Sequence, residues 1–362
     1  MKQKKALQRL NTYKPGKPIE EVKRSLGLKR VYKLASNEVP FPPEYIRKVI
    51  KEEVKNINRY PESSCFSLRK EVSKRLRVNP EQIVFGNGSD EIITLSLRAL
   101  IEKGDEIIVA YPTFLIYEIQ AQIEDAKVKR IPLKNLEYDL EAIAKKITKK
   151  TKIIFIANPD NPTGTYLKDS QIRKFLGRIP KRVIVFFDEA YFEFAPPDFP
   201  KTLQFLKKRG NIIITRTFSK AYGLAGLRIG YGITSKELAA VLNKVREPFN
   251  INRFAQVAAQ AALKNKQFMK KVVSHSNKEK KYFYREFQKL GLSFVKSATN
   301  FVLVDFEKDT TPLYKYLLKK GVIIRSLGSW GLKNFFRVTT GLASENKEFI
   351  KQLKLYLRRK AA

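Results

Sequence analysis

Between residues 82 and 233 the chain alternates short, unbroken apolar runs with helix-patterned stretches, and this alternation constrains the fold more than any other feature. The runs Ile153-Ile154-Phe155-Ile156 and Val183-Ile184-Val185-Phe186-Phe187 contain no polar position, so a strand built from either must be covered on both faces. Helices supply that cover, and strands joined through crossover helices run parallel. Strands are predicted at 83–85, 106–109, 128–131, 152–157, 183–188, 212–215 and 228–233. The expected fold is therefore α/β, with a large, mostly parallel seven-stranded sheet whose ligands gather at the strand ends.

After Pro248 the pattern changes to a long helical region ending near Leu290, followed by predicted strands at 301–304, 321–325 and 335–340. This is the signature of a second, smaller α+β unit. The segment before Pro43 is too short and too proline-rich to fold alone, and is expected to pack against that unit and the cleft. The predicted division is a large domain over 44–248 and a small domain made of 1–43 and 249–362.

Composition removes several function classes. The first ten residues carry no apolar stretch that would serve as a secretory signal, and no apolar run approaches the roughly 20 residues that span a bilayer. The single cysteine, Cys65, excludes an internal disulfide and a cysteine-based metal cluster, which suits a reducing, cytoplasmic setting; it reads as a packing residue. No metal site is expected. The only histidine, His275, lies in the lysine-rich stretch 272–281, where a surface position is expected, and this sets aside a Ser-His-acid hydrolase. Lys and Arg number 72 against 35 acids, a net charge of +37, which raises nucleic acid as a partner. The basic residues are, however, spread along the chain in short groups such as Lys145, Lys146, Lys149 and Lys150, so they read as a solvated surface.

The most informative stretch runs from Thr217 to Tyr231, directly after the predicted strand 212–215. It contains Ser219-Lys220 and then a run of small residues up to Arg228. A lysine just past a strand end, beside a hydroxyl, enters a pocket and attacks an aldehyde if its amine is kept partly unprotonated. Two further motifs stand at strand ends: Asn158-Pro159-Asp160-Asn161-Pro162-Thr163-Gly164 and Asp188-Glu189-Ala190-Tyr191. A fourth, Gly86-Asn87-Gly88-Ser89-Asp90-Glu91, falls between a strand and a helix predicted to begin near Ser89, and a helix N-terminus suits an anion.

Taken together, these segments resemble the fold-type I aminotransferases that depend on pyridoxal 5′-phosphate. The resemblance implies that Lys220 holds the cofactor as a Schiff base and then moves the proton as general base and acid. It implies that Asp188 keeps the ring nitrogen protonated, and that Asn161 and Tyr191 donate to the phenolic oxygen. The backbone of Gly88 and Ser89, the Ser219 hydroxyl and Arg228 would bind the phosphate, and Phe114 of Tyr111-Pro112-Thr113-Phe114 would stack on the ring.

Over nearly the whole chain the sequence is similar to the histidinol-phosphate aminotransferase family. The matching segments include Tyr13 to Pro18, Lys33 to Glu38, Arg59-Tyr60-Pro61, Asn300-Phe301-Val302, Ile324-Arg325 and Phe336 to Thr339. The resemblance implies a homodimer in which Tyr60 reaches the cofactor phosphate of the other subunit. It places Asn37 and Glu38 along the cleft, Arg337 on the substrate carboxylate, and Tyr13 and Arg325 near the substrate phosphate. The implied reaction moves an amino group between L-histidinol phosphate and 2-oxoglutarate, giving imidazole-acetol phosphate and L-glutamate in histidine synthesis. Two departures fall where substrate preference is set: Val39 stands in Asn37-Glu38-Val39-Pro40 where the family has asparagine, and Phe114 where tyrosine is common. An aromatic amino acid aminotransferase and a threonine-phosphate decarboxylase share the cofactor residues and are the near alternatives. A basic nucleic-acid-binding protein on a decayed fold is the alternative of a different class, opposed by the intact Asp188, Tyr191, Lys220 and Arg228.

Overall fold

The structure, a computed structural model, describes residues 5–10 and 15–361. Thirteen strands follow in chain order: β1 Tyr32–Lys33, β2 Ile83–Gly86, β3 Glu106–Tyr111, β4 Lys127–Pro132, β5 Thr151–Ala157, β6 Ile184–Asp188, β7 Ile212–Thr217, β8 Gly230–Ile233, β9 Ser293–Phe294, β10 Phe301–Asp305, β11 Val322–Ile323, β12 Arg325–Leu327 and β13 Leu332–Thr339. Seven of them form one sheet in the order β2-β8-β7-β6-β5-β3-β4. The apolar runs do what their lack of polar positions requires. Ile154, Ile156, Phe187 and Ile214 enter the core on one face of the sheet, and Ile153, Phe155, Phe186 and Ile213 the core on the other. Each such side chain contributes roughly 1.5–3 kcal/mol by leaving water.

Parallel pairing holds from β7 through β4, but β8 is antiparallel to both β7 and β2. The connection between β7 and β8 contains only a short 3₁₀ turn, Ala225–Leu227, and no crossover helix, so the chain folds straight back. That returning loop is the one that carries Lys220 and Arg228.

The smaller unit holds an antiparallel sheet in the order β12-β13-β10-β9, and β1 from the N-terminal arm pairs with β11 in a separate parallel ladder. The predicted strand 321–325 is thus two strands, because the chain leaves one ladder for the other at Ile324. The arm is hydrogen-bonded to this unit: Leu34 N–H donates to Ile323 O at 2.7 Å, and Thr339 N–H to Leu34 O at 2.9 Å.

Three expectations need correction or sharpening. The helix Arg253–Lys264, placed by pattern with the smaller unit, packs Ala255, Ala258, Ala259 and Ala262 into the core of the large sheet. Its small-residue face allows that approach, and periodicity alone does not say which unit a helix joins. His275 is half-buried and not at the surface: its Nε2 lies 2.9 Å from Gly341 O and its ring meets the edge of Phe41 at 4.8 Å. Cys65 is a packing residue, with burial pushing its thiol up to about 11, which leaves it unreactive. Lys145, Lys146, Lys149 and Lys150 are all exposed. Among the described residues no helix is long and apolar enough to cross a membrane, and no His, Cys, Asp and Glu cluster is placed to hold a metal.

Candidate active site

The sheet register brings three motifs to one edge. Asp188, the last residue of β6, pairs with Ala157 of β5 on one side and Thr215 of β7 on the other, so the Asn158 turn, Asp188 and the Lys220 loop are spatial neighbours. They border a cleft of about 420 Å³ between the large sheet and the smaller unit. Its lining includes Asn37, Gly88, Ser89, Phe114, Asn161, Asp188, Tyr191, Ser219, Lys220, Arg228, Arg325 and Arg337, twelve of the fifteen residues singled out from the sequence.

Asp188 sits at the bottom. Its carboxylate accepts hydrogen bonds from the Tyr117 hydroxyl at 2.7 Å and the Ala190 backbone at 3.1 Å. Burial pushes its pKa up to about 6, against these two donors, and the nearby acids Asp90 and Glu189 push the same way. A buried carboxylate among like charges is complementary to a cationic ring nitrogen placed against it.

The Asn158 turn is tied down by Asp160, which is buried and accepts from Thr163 N–H at 3.1 Å, Thr163 Oγ1 at 2.8 Å, Thr113 Oγ1 at 3.0 Å and the Tyr138 hydroxyl at 3.2 Å. So anchored, the turn presents Asn161, whose side-chain oxygen accepts from Arg337 Nη1. Arg337, from β13, also donates to Ala35 O at 2.9 Å and lies 4.9 Å from the Phe301 ring centroid.

Asn37 stitches the arm to both units. With φ at 56°, a left-handed conformation that asparagine tolerates better than most residues, it donates from Nδ2 to the Tyr191 hydroxyl at 2.7 Å, accepts from Thr339 Oγ1 at 3.0 Å, and offers its carbonyl to Asn300 Nδ2 at 3.0 Å. Because Asn37 is the donor, the Tyr191 hydroxyl keeps its own hydrogen for another acceptor.

A corner of the cleft whose backbone and charge suit an anion lies at the N-terminus of the helix Ser89–Leu100. Gly88 has φ of 77°, and a Cβ there would come 2.6 Å from Arg228 Nη2, so only glycine leaves this corner open. Arg228 donates to Ser219 Oγ at 3.2 Å and reaches Asp90 at 3.5 Å. Gly230 performs a related service on β8: a Cβ there would meet Gly88 C and Ser89 N at 2.7 Å.

Lys220 follows β7 in a loop closed by Gly223 N–H donating to Lys220 O at 2.9 Å. Its amine lies 3.4 Å from Ser36 O and 5.7 Å from the Tyr191 ring centroid. Burial, reinforced by the Arg337 charge, lowers its pKa to about 8. Competitive trace acetylation of the cofactor-free protein, followed by peptide mapping, is therefore expected to show Lys220 gaining reactivity as the pH rises through about 8. A Lys220 midpoint near 10 contradicts this electrostatic picture.

Three residues picked from the sequence are not in this cleft. Glu38 is not part of its lining and accepts from the Lys33 amine at 2.8 Å. Tyr60 is 78% exposed and stacks on Phe249, ring centroids 4.8 Å apart, away from the cleft of its own chain. Tyr13 lies outside the described residues. Residues that sequence reasoning passed over include Tyr117, the Asp160 partners Thr113 and Tyr138, and Trp330. Tyr117 falls one helical turn beyond Phe114, but a hydroxyl that meets a carboxylate 71 positions away leaves no trace in local spacing.

The fold and this cleft define a pyridoxal-phosphate-dependent transferase of fold type I. The sequence matches the family described as Aminotransferase class I and II over residues 29–353. It is 43% identical over 358 residues to histidinol-phosphate aminotransferase 2 of Carboxydothermus hydrogenoformans, covering 98% of this chain and 99% of the relative. It is 44% identical over 353 residues to the histidinol-phosphate aminotransferase of Caldicellulosiruptor saccharolyticus, covering 97% and 99%. Among solved structures, the Sinorhizobium meliloti histidinol-phosphate aminotransferase in complex with pyridoxal-5′-phosphate superposes with a TM-score of 0.91 at 27% identity, covering 98% of this chain and 97% of that one. The chain belongs to the class I and II aminotransferases, in their histidinol-phosphate aminotransferase family.

Proposed function

We propose that this aminotransferase moves the amino group between L-histidinol phosphate and 2-oxoglutarate, giving imidazole-acetol phosphate and L-glutamate in L-histidine synthesis. The observation that carries the reading is the gathering of three arginines around Lys220 and Asp188 in one cleft. Arg228, at the helix N-terminus with Gly88, Ser89 and Ser219, suits the cofactor phosphate. That leaves Arg337 and Arg325 for the anions of two substrates, one bearing carboxylates and the other a phosphate, and an arginine fork pairs two oxygens of either.

When bound, pyridoxal phosphate supplies an aldehyde that takes up the substrate amine and a ring that withdraws electrons from the adjoining carbon. Phe114 would cover one side of that ring, and Asp188 would keep its nitrogen protonated. Asn161 and Tyr191 donate to the phenolic oxygen. Lys220 is the residue that would hold the cofactor, and its amine would then serve as base and acid for the proton on the substrate carbon. Its lowered pKa keeps the amine partly neutral and ready for the first of those roles.

A homodimer belongs to the same reading. Tyr60 and Phe249 form an exposed aromatic pair, and Val54, Ile57 and Phe66 are also more than half exposed. A group of large exposed apolar side chains suits burial against a second subunit, where Tyr60 would meet the partner's cofactor phosphate. A cytoplasmic location accords with the single buried cysteine.

Steady-state assays with L-histidinol phosphate, phenylalanine and threonine phosphate as amine substrates test the assignment. Transamination of L-histidinol phosphate is expected to exceed that of phenylalanine by at least about 100-fold in kcat/KM, since a built phosphate site left unpaired forfeits several kcal/mol. No turnover of L-histidinol phosphate would sink it, and phosphate-dependent loss of CO₂ from threonine phosphate would move the chain to the decarboxylases.

A further inference from the structure

The only tryptophan of the chain, Trp330, stands where the two units of the cleft meet. It ends the short 3₁₀ turn Gly328–Trp330 between β12 and β13, and is 1% exposed. One side of it joins Leu303 and Leu327 of the smaller unit in a core that also takes in Leu115 and Leu136 of the large one. Its indole N–H donates to Thr113 O at 2.9 Å. Thr113 is the neighbour of Phe114 and donates through Oγ1 to Asp160, the anchor of the Asn161 turn. The Arg325 guanidinium lies over the indole, 4.7 Å from the ring centroid. Gly331, with φ of 78°, lets the turn sit close against the large unit, since a Cβ there would come 2.5 Å from the Tyr111 hydroxyl.

Stacking on an indole uses the face of a guanidinium and not its N–H edge, and the edge is the part that pairs an anion. An arginine otherwise loses considerable rotamer freedom when it engages a ligand, and a platform that holds it in place removes much of that cost. We propose that Trp330 is a specificity-determining positioning residue: it fixes Arg325 for the substrate's phosphate and ties that arginine, through Thr113, to the side of the cleft that holds the cofactor. The proposal rests on the reading that Arg325 receives the phosphate.

The test compares kcat/KM for L-histidinol phosphate with that for unphosphorylated L-histidinol in the holoenzyme. Trp330→Leu is expected to lower this ratio about tenfold, through KM of the phosphorylated substrate, with kcat and the L-histidinol reaction within about twofold of the parent. Trp330→Phe keeps an aromatic face and is expected to retain most of the preference. Equal loss with both substrates, or no loss in Trp330→Leu, overturns the proposal. Arg325→Gln separates the two readings. If it leaves the ratio unchanged, the phosphate assignment of Arg325 itself fails; if it collapses the ratio while Trp330→Leu does not, only the tryptophan proposal fails. Should Trp330→Leu not fold, the emission of Trp330 in the otherwise unaltered holoenzyme decides. A saturable change on adding inorganic phosphate, absent in Arg325→Gln, supports the proposal, and an unchanged emission overturns it.

Discussion

Replacing Lys220 with alanine is expected to lower turnover by at least about 10⁴-fold, because in the proposed function one side chain serves both as covalent carrier and as the group that moves the proton. The fold should survive. Lys220 borders the cleft and not the central core, and its amine makes one long hydrogen bond, 3.4 Å to Ser36 O. Thermal unfolding of the cofactor-free variant should therefore match that of the cofactor-free parent closely. Small amines such as methylamine are expected to restore a minor fraction of the rate by supplying the missing base in solution. A Lys220→Ala protein with turnover within about tenfold of the parent would show that another group carries the proton.

Asp188→Asn should have the next largest effect, a fall of about 10²–10³-fold in kcat, the range seen when one preorganised charge-stabilising group is lost. The substitution keeps shape and the Tyr117 contact, since that hydroxyl donates to a side-chain oxygen asparagine also has. What it removes is the negative charge that opposes loss of the ring-nitrogen proton. The pH dependence follows the same logic. In the cofactor-free cleft the carboxyl is held near 6, so it takes up a proton as the pH falls through about 6 and no longer attracts the cationic ring nitrogen. Cofactor affinity of the parent should accordingly drop below that pH, and pairing with the cation should hold the carboxylate charged to lower pH in the loaded enzyme. Equilibrium dialysis against pyridoxal phosphate from pH 5 to 8 measures this. A flat profile in the parent, or a kcat within about threefold of it in Asp188→Asn, contradicts the role given to the carboxylate.

Much of the site was legible because its residues occupy strand ends, and strand ends are marked by the polar residue that stops an apolar run. Asp188 closes Val183 to Phe187, Asn158 follows Ile153 to Ala157, and Lys220 follows the β7 run, so three of the chemistry-bearing segments could be placed on one edge before any coordinate was known. Glycine marked the corner proposed for the phosphate, where the positive φ of Gly88 and the close approach of Gly230 have no substitute. Other features depend on contacts that leave no local period. Tyr117 and Asp188 are 71 positions apart, Trp330 and Thr113 are 217 apart, and Asn37 and Thr339 are 302 apart. The direction of β8 escaped because a strand covered on both faces reads the same whichever way it runs, and the connecting loop that decides the matter contains the site itself. The helix Arg253–Lys264 escaped because its alanine-rich face fits either unit. Tyr60 is the opposite case: the resemblance singled it out, and within one chain it touches nothing in the cleft.

Borohydride reduction of the cofactor-loaded protein, which turns a reversible carbon–nitrogen link into a permanent one, followed by peptide mapping, tests the central claim most directly. Lysine and arginine together number 72 in this chain, and most lysines are solvated. Labelling confined to the peptide that contains Lys220, and abolished by Lys220→Ala, is the expected result. A label on any other lysine, or none on the loaded protein, would contradict it.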